Sequence, residues 1–173
     1  CSRITRAAFT PGARSELWER CIATWFPNEE MRAFVQKVLG ASIAGRQTQR
    51  VALHNGRTAN GKTSLLEAVV HALGDYASVV RSEIIMGGRR RNSGAATPEL
   101  VVLRGIRFAW IDETPKNGMI DEGRVKVLTG GGTITGRGLH QNETTFPAQF
   151  DLHVSTNNLP SVSQGDDAIW RRL

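Results

Sequence analysis

Cysteine is almost missing from this chain of 173 residues: Cys1 and Cys21 are the two present. They are too few for a disulfide framework and lack the spacing of a zinc site, which fits a reducing cytoplasm. The four histidines show no metal-ligand spacing either. No run of about 18 apolar residues occurs, which excludes a transmembrane helix, and no signal peptide is visible. Lysine is scarce as well, at 4 residues against 18 arginines. What is present is a hydrophobic content of 40% and a formal net charge of +6, with a pI of about 10.1. A real core is therefore expected, and a polyanionic partner is favoured. A GC-rich genome would also inflate arginine, so charge alone only nudges toward nucleic acid. The start at Cys1 and the end at Arg171-Arg172-Leu173 read as the ends of an internal piece of a longer polypeptide.

The strongest signal is Gly56-Arg57-Thr58-Ala59-Asn60-Gly61-Lys62-Thr63, a G-x-x-x-x-G-K-T phosphate-binding loop. It lies between an apolar run from Val51, read as a strand, and Ser64 to Leu73, read as a helix closed by Gly74-Asp75. A glycine loop in that setting aims backbone N–H groups at a polyphosphate, at the positive end of a helix dipole. Gly56, Asn60, Gly61, Lys62, Thr63 and Ser64 are thus candidate nucleotide-binding residues. Lys62 is suited to the β- and γ-phosphates and the Thr63 hydroxyl to Mg²⁺. The expected ligand is a nucleoside triphosphate, ATP with Mg²⁺.

Downstream, Arg107 to Ile111 reads as a buried strand ending in Asp112-Glu113, the form of a Walker B element. Parallel α/β sheets place ligands at the carboxyl ends of strands, beside the loop. Asp112 is suited to support the metal and Glu113 to deprotonate the attacking water. Phe150 to Thr156 alternates as a strand that ends at Asn157-Asn158, and Asn157 is placed to sense the γ-phosphate. Upstream, Ser15 and Pro27-Asn28 open two amphipathic helices, with Leu17, Cys21, Ile22 and Trp25 on one stripe. Met31, Phe34, Val35, Val38 and Leu39 form the other. The expected division is a helical lobe over 1–45 and a P-loop core over 46–173. Residues 86–97, with Arg89-Arg90-Arg91, read as a polar basic loop.

In motif order the chain resembles superfamily 3 helicases, specifically the C-terminal ATPase domain of phage and plasmid primase-helicases related to the poxvirus protein. The resemblance rests on Asn60 to Ala68, Leu73 to Ala77, Trp110 to Glu113, Lys126-Val127-Leu128-Thr129-Gly130-Gly131, Ser155 to Pro160 and Asp167 to Arg172. It implies an AAA+-like parallel sheet flanked by helices, and a β-hairpin over about 134–146 with its tip near Leu139 to Asn142. It also implies a ring, usually a hexamer, moving on single-stranded DNA, and an upstream primase or origin-binding region. Arg171 or Arg172 would act across a subunit boundary as an arginine finger near the sheet's active edge. Lys126, Arg137 and His140 would contact DNA. Two rival readings are a P-loop small-molecule kinase and a non-hydrolysing DNA-binding or scaffold remnant of an integrated element.

Overall fold

The computed structural model describes residues 3–87, 95–162 and 167–173. Arg89, Arg90 and Arg91 lie outside the described residues.

Two capped helices come first. Ser15 accepts the Trp18 N–H at 3.3 Å to open α1 (Glu16–Trp25), and Asn28 accepts the Met31 N–H at 2.8 Å to open α2 (Glu29–Ile43). Acidic residues fill both first turns, complementing the helix dipoles. Ile22, Val35 and Leu39 are buried in a cluster that also contains Leu65 and Leu66 of α3 (Lys62–Leu73), and Phe108 and Trp110 of β3 (Phe108–Asp112). The two leading helices therefore cover one face of the sheet, beside the P-loop helix. Their apolar stripes are wider than that contact. Leu17 faces solvent, while Met31 and Phe34 border a cavity between α2 and β1 (Val51–Asn55).

The main sheet adds β2 (Ala77–Val80) and β6 (Asp151–Thr156) to give the order β1-β6-β3-β2, with every pair parallel. β6 is buried at all six positions, as befits a central strand covered on both faces. On the second face, Ile111, Leu152 and Val154 pack in one cluster with Ile84, Ile85, Val125 and Leu128. Val125 and Leu128 come from α5 (Glu122–Thr129), which Asp121 caps by accepting the Arg124 N–H at 3.0 Å. β2 has four residues, too few for alternation to reveal, and α5 runs into the Lys126 to Gly131 element, its last turn overlapping it. Neither was expected from periodicity.

The hairpin forms where expected. β4 (Thr133–Arg137) pairs antiparallel with β5 (Glu143–Pro147), from Thr133 opposite Pro147 to Arg137 opposite Glu143. Its inner residues Ile134 and Phe146 are buried, and the five-residue tip carries exposed Leu139 and His140. The short helix α4 (Pro98–Val101) lies against it: a side chain at Gly136 would meet Leu100 Cβ at 3.0 Å.

The final helix α6 (Asp167–Trp170) corrects one expectation. Arg172 O accepts the Val51 N–H at 2.6 Å, and the Arg50 guanidinium donates to Arg171 O. Arg171 and Arg172 thus lie at the amino end of β1, opposite the sheet's active edge. The peptide after α6 runs back along the start of the strand instead of along its tip. Among the described residues, no helix is long and apolar enough to cross a membrane.

Candidate active site

The loop between β1 and α3 is built on backbone geometry that few residues tolerate. Gly61 caps α3 with φ +86°, and Ala59 also takes positive φ. A side chain on Gly61 would run into the Trp25 indole, and one on Gly56 into the Asn60 side chain. These contacts explain both glycines of the motif as close approaches. Lys62 then folds back over its own loop. Its ammonium donates to Gly56 O at 2.7 Å, Arg57 O at 2.8 Å, Asn60 Oδ1 at 3.0 Å and Asn157 Oδ1 at 3.1 Å. The last of these bridges the loop to the end of β6.

Register does the rest. Asp112 pairs with Ser155 across β3 and β6, so the acids and Asn157 emerge from adjacent strands at the same edge. There they share a polar cavity of about 270 Å³ with Asn60, Gly61, Lys62, Thr63 and Ser64. Gly56 stands behind it, holding Lys62. Glu113 has φ +64°, a left-handed conformation that costs a non-glycine residue about 1 kcal/mol or more, and its N–H donates to Ser155 O at 3.0 Å. Its exposed carboxylate is thereby turned away from the path of the strand.

Two partners of Asp112 escape a reading by motif. Ser155 Oγ donates to Asp112 Oδ1 at 3.0 Å, and the Trp110 indole N–H donates to Ser155 Oγ at 3.1 Å. Trp110 and Ser155 are both buried. The indole can only donate, so it commits the serine proton to the carboxylate. The strand alternation of Trp110 and Asp112 was the available signal, readable only once Ser155 is known to be the cross-strand partner. A second pair, Thr114 Oγ1 and Thr156 Oγ1 at 2.9 Å, ties the segment after Glu113 to the end of β6.

Not every candidate joins this cavity. Lys126 is half-buried on α5, Arg137 ends β4, and His140 sits at the exposed hairpin tip with φ +56°. None of the three lines the cavity, nor do Arg171 and Arg172.

Behind the site, under α2, lies a separate buried polar chain. Asp151 Oδ1 accepts the Thr48 N–H at 2.8 Å and the Thr48 hydroxyl at 2.9 Å. Asp151 Oδ2 accepts Ser42 Oγ at 3.3 Å. Ser42 Oγ lies 2.8 Å from His153 Nε2, and His153 Nδ1 lies 3.1 Å from His54 Nε2. His153 stacks on Phe108 with centroids 4.0 Å apart. Burial pushes His54 down to about 4 and, with His54 beside it, His153 down to about 3. Both are neutral near pH 7.

No family model matches this chain. Among curated proteins it is 33% identical over 148 residues to a protein named "Putative helicase" from Acanthamoeba polyphaga mimivirus. It is also 33% identical over 156 residues to one of the same name from Frog virus 3. A protein named "Putative primase" from African swine fever virus is 24% identical over 148 residues. These matches cover 85–87% of the chain, which spans only 15–16% of the relatives' length. Among solved structures, the NrS-1 C-terminal region superposes with a TM-score of 0.64 at 11% identity, covering 93% of this chain and 38% of that one. The JCV helicase gives 0.53 at 18% identity, covering 90% of this chain and 44% of that one. These two likenesses concern the fold, a P-loop NTPase sheet flanked by helices. The resemblance drawn from the motifs therefore holds: this chain is a homologue of the proteins named as helicases and primases in large DNA viruses, matched over one segment of their length.

Proposed function

We propose that the chain is the ATP-hydrolysing motor of a DNA helicase, acting in replication of a phage, plasmid or viral genome. One observation carries this reading. Lys62, held by the loop, touches Asn157 from the neighbouring strand at 3.1 Å, and both border a polar cavity that also receives Asp112 and Glu113. Those are the parts that phosphoryl transfer to water needs, in reach of one ligand.

The donor set fits Mg²⁺. The Thr63 hydroxyl and the Asp112 carboxylate are hard oxygen ligands on the same cavity, and Ser155 occupies Oδ1 of Asp112, leaving Oδ2 for the metal shell. When bound, the ion neutralises charge on the phosphates. Lys62 and the N–H groups of Gly61 to Ser64 hold the phosphates at the start of α3. Asn157 orients the outer phosphate or the lytic water. Glu113 takes the proton of that water. Arg171 or Arg172 of a neighbouring subunit completes the site in a ring, and the exposed side chain of Arg171 suits a contact between copies. The hairpin tip, with Arg137 and His140, faces single-stranded DNA, with Lys126 as a further contact. Tracking of a backbone by charge without base readout suits a motor of this kind. Residues 1–45 act as a helical lobe on the 46–173 core, and a primase or origin-binding region belongs to the same polypeptide.

Replacement of Lys62 by Ala is expected to abolish ATP turnover, and single-stranded DNA is expected to stimulate turnover in the unaltered protein. Phosphate release with and without DNA measures both. A Lys62→Ala protein that hydrolyses ATP normally would overturn the assignment.

A further inference from the structure

Thr156, the last residue of β6, joins three segments of the site. Its carbonyl accepts the Gly56 N–H at 3.3 Å, at the first glycine of the phosphate loop. Its hydroxyl lies 2.6 Å from Asn158 O, 3.1 Å from Asn158 N and 2.9 Å from Thr114 Oγ1. Both threonines are buried, Thr114 at 4% exposure and Thr156 at 2%. Thr156 lines the polar cavity and Thr114 does not.

These contacts fix where each proton goes. A hydroxyl carries one proton and two lone pairs. The Asn158 carbonyl can only accept, so Thr156 gives its proton there. The Asn158 N–H takes one lone pair of Thr156, and the other is left for Thr114, which donates. The two bonds to Asn158 close a local turn around Asn157, whose Oδ1 meets Lys62 at 3.1 Å. The third bond reaches out of that turn to the segment after Glu113.

It takes over where the strand ladder stops. β3 and β6 stay in register as far as Asp112 and Ser155, and the Glu113 N–H adds one more bond, to Ser155 O. Glu113 then turns with φ +64°, and Pro115 has no N–H to carry the ladder on. Asp112, Glu113, Pro115, Lys116 and Asn117 are exposed, while Thr114 between them is buried. A left-handed non-glycine residue persists where its surroundings over-determine it. For Glu113 the determinants are a backbone bond on one side and the Thr114 hydroxyl on the other.

We propose that Thr114 is a positioning residue for hydrolysis: its hydroxyl, donated to Thr156, fixes the Glu113 carboxylate relative to Asn157. The inference rests on the ATP-hydrolysis reading given above and assigns to it a residue outside the cavity. Without that proton the turn around Asn157 and its contact with Lys62 keep their own bonds. Phosphate binding is then preserved, and only the base loses its aim.

ATP turnover with single-stranded DNA, together with ATP binding in the presence of Mg²⁺, tests it. Thr114→Val, which keeps the shape and removes the proton, should lower kcat about tenfold with KM and ATP affinity unchanged. Thr114→Ser, which restores the proton, should recover most of the rate. In a Glu113→Gln background the valine should cost less than about twofold, because the group it aims is already gone. If the valine variant does not fold, Thr114→Ala, which lacks the same proton, carries the same expectations. A tenfold loss in both backgrounds would show that Thr114 merely supports the fold, and would overturn the proposal. So would weakened ATP binding in proportion to the lost rate. Normal turnover in Thr114→Val, with Lys62→Ala inactive, would sink the positioning role and leave the nucleotide site standing. If the unaltered protein hydrolyses no ATP, both fall.

Discussion

Polar groups at the carboxyl ends of β1, β3 and β6 differ sharply from those under α2. At the strand ends, Asp112 and Glu113 are exposed, Glu113 sits in a strained backbone conformation, and Lys62 has its donors spread over four oxygens. Under α2, Ser42, Asp151 and His153 are at most 5% exposed and each is hydrogen-bonded within the protein. The first set is arranged around a space, the second around itself. Buried polar groups must find partners to be tolerated, whereas a reactive centre keeps capacity for a ligand. The contrast separates residues expected to govern turnover from residues expected to govern stability.

The largest effect after loss of Lys62 should come from Glu113→Gln. Turnover should fall by about 10²-fold or more while ATP still binds, as single-turnover and binding measurements would show. Normal turnover in that variant would put the general base elsewhere. Ser155→Ala should be milder, lowering turnover about tenfold and raising the Mg²⁺ concentration needed for half-maximal rate. Its effect acts through the orientation of Asp112, so excess Mg²⁺ should restore part of the rate. Equal loss at all Mg²⁺ concentrations would contradict that role.

On the other side of the comparison lies a dependence on acidity. His54 and His153 resist protonation in the folded state down to about 4 and 3, whereas the unfolded chain takes up those protons near 6.5. Stability is therefore complete above about pH 6.5 and declines as the solution is acidified through that window, by roughly 1–2 kcal/mol per histidine at pH 5. Denaturant titrations at pH 7 and pH 5 should show the loss, and His153→Phe should flatten it. The smallest effect is expected at the hairpin tip. His140→Ala should leave basal ATPase activity intact and reduce its stimulation by single-stranded DNA about twofold, with a weaker salt dependence of DNA binding. A fall in basal rate would place His140 in the fold instead.

Much of the site was readable because its chemistry is local in sequence. The loop from Gly56 to Thr63 declares its own geometry, and the strand ending in Asp112-Glu113 declares its direction. Asn157 followed from the strand before it, and the hairpin from turn formers between β-prone runs. What escaped depends on lateral pairing. Ser155 earns a role only because β6 lies beside β3 with Asp112 opposite it, and Trp110 only because its indole reaches that serine. The chain from Asp151 to His54 joins residues some hundred positions apart and carries no motif. The expected place of Arg171 and Arg172 near the active edge misled for a related reason. Their distance along the chain from Asn157 is short, but α6 returns the backbone to the head of β1.

The grip of Lys62 on its own loop has a consequence for ligand choice. The three protons of the ammonium are shared among four oxygens of the protein. On the proposed reading, an incoming phosphate oxygen has to replace those acceptors at Lys62, so a ligand bearing several phosphates should compete for the ammonium better than one bearing a single phosphate.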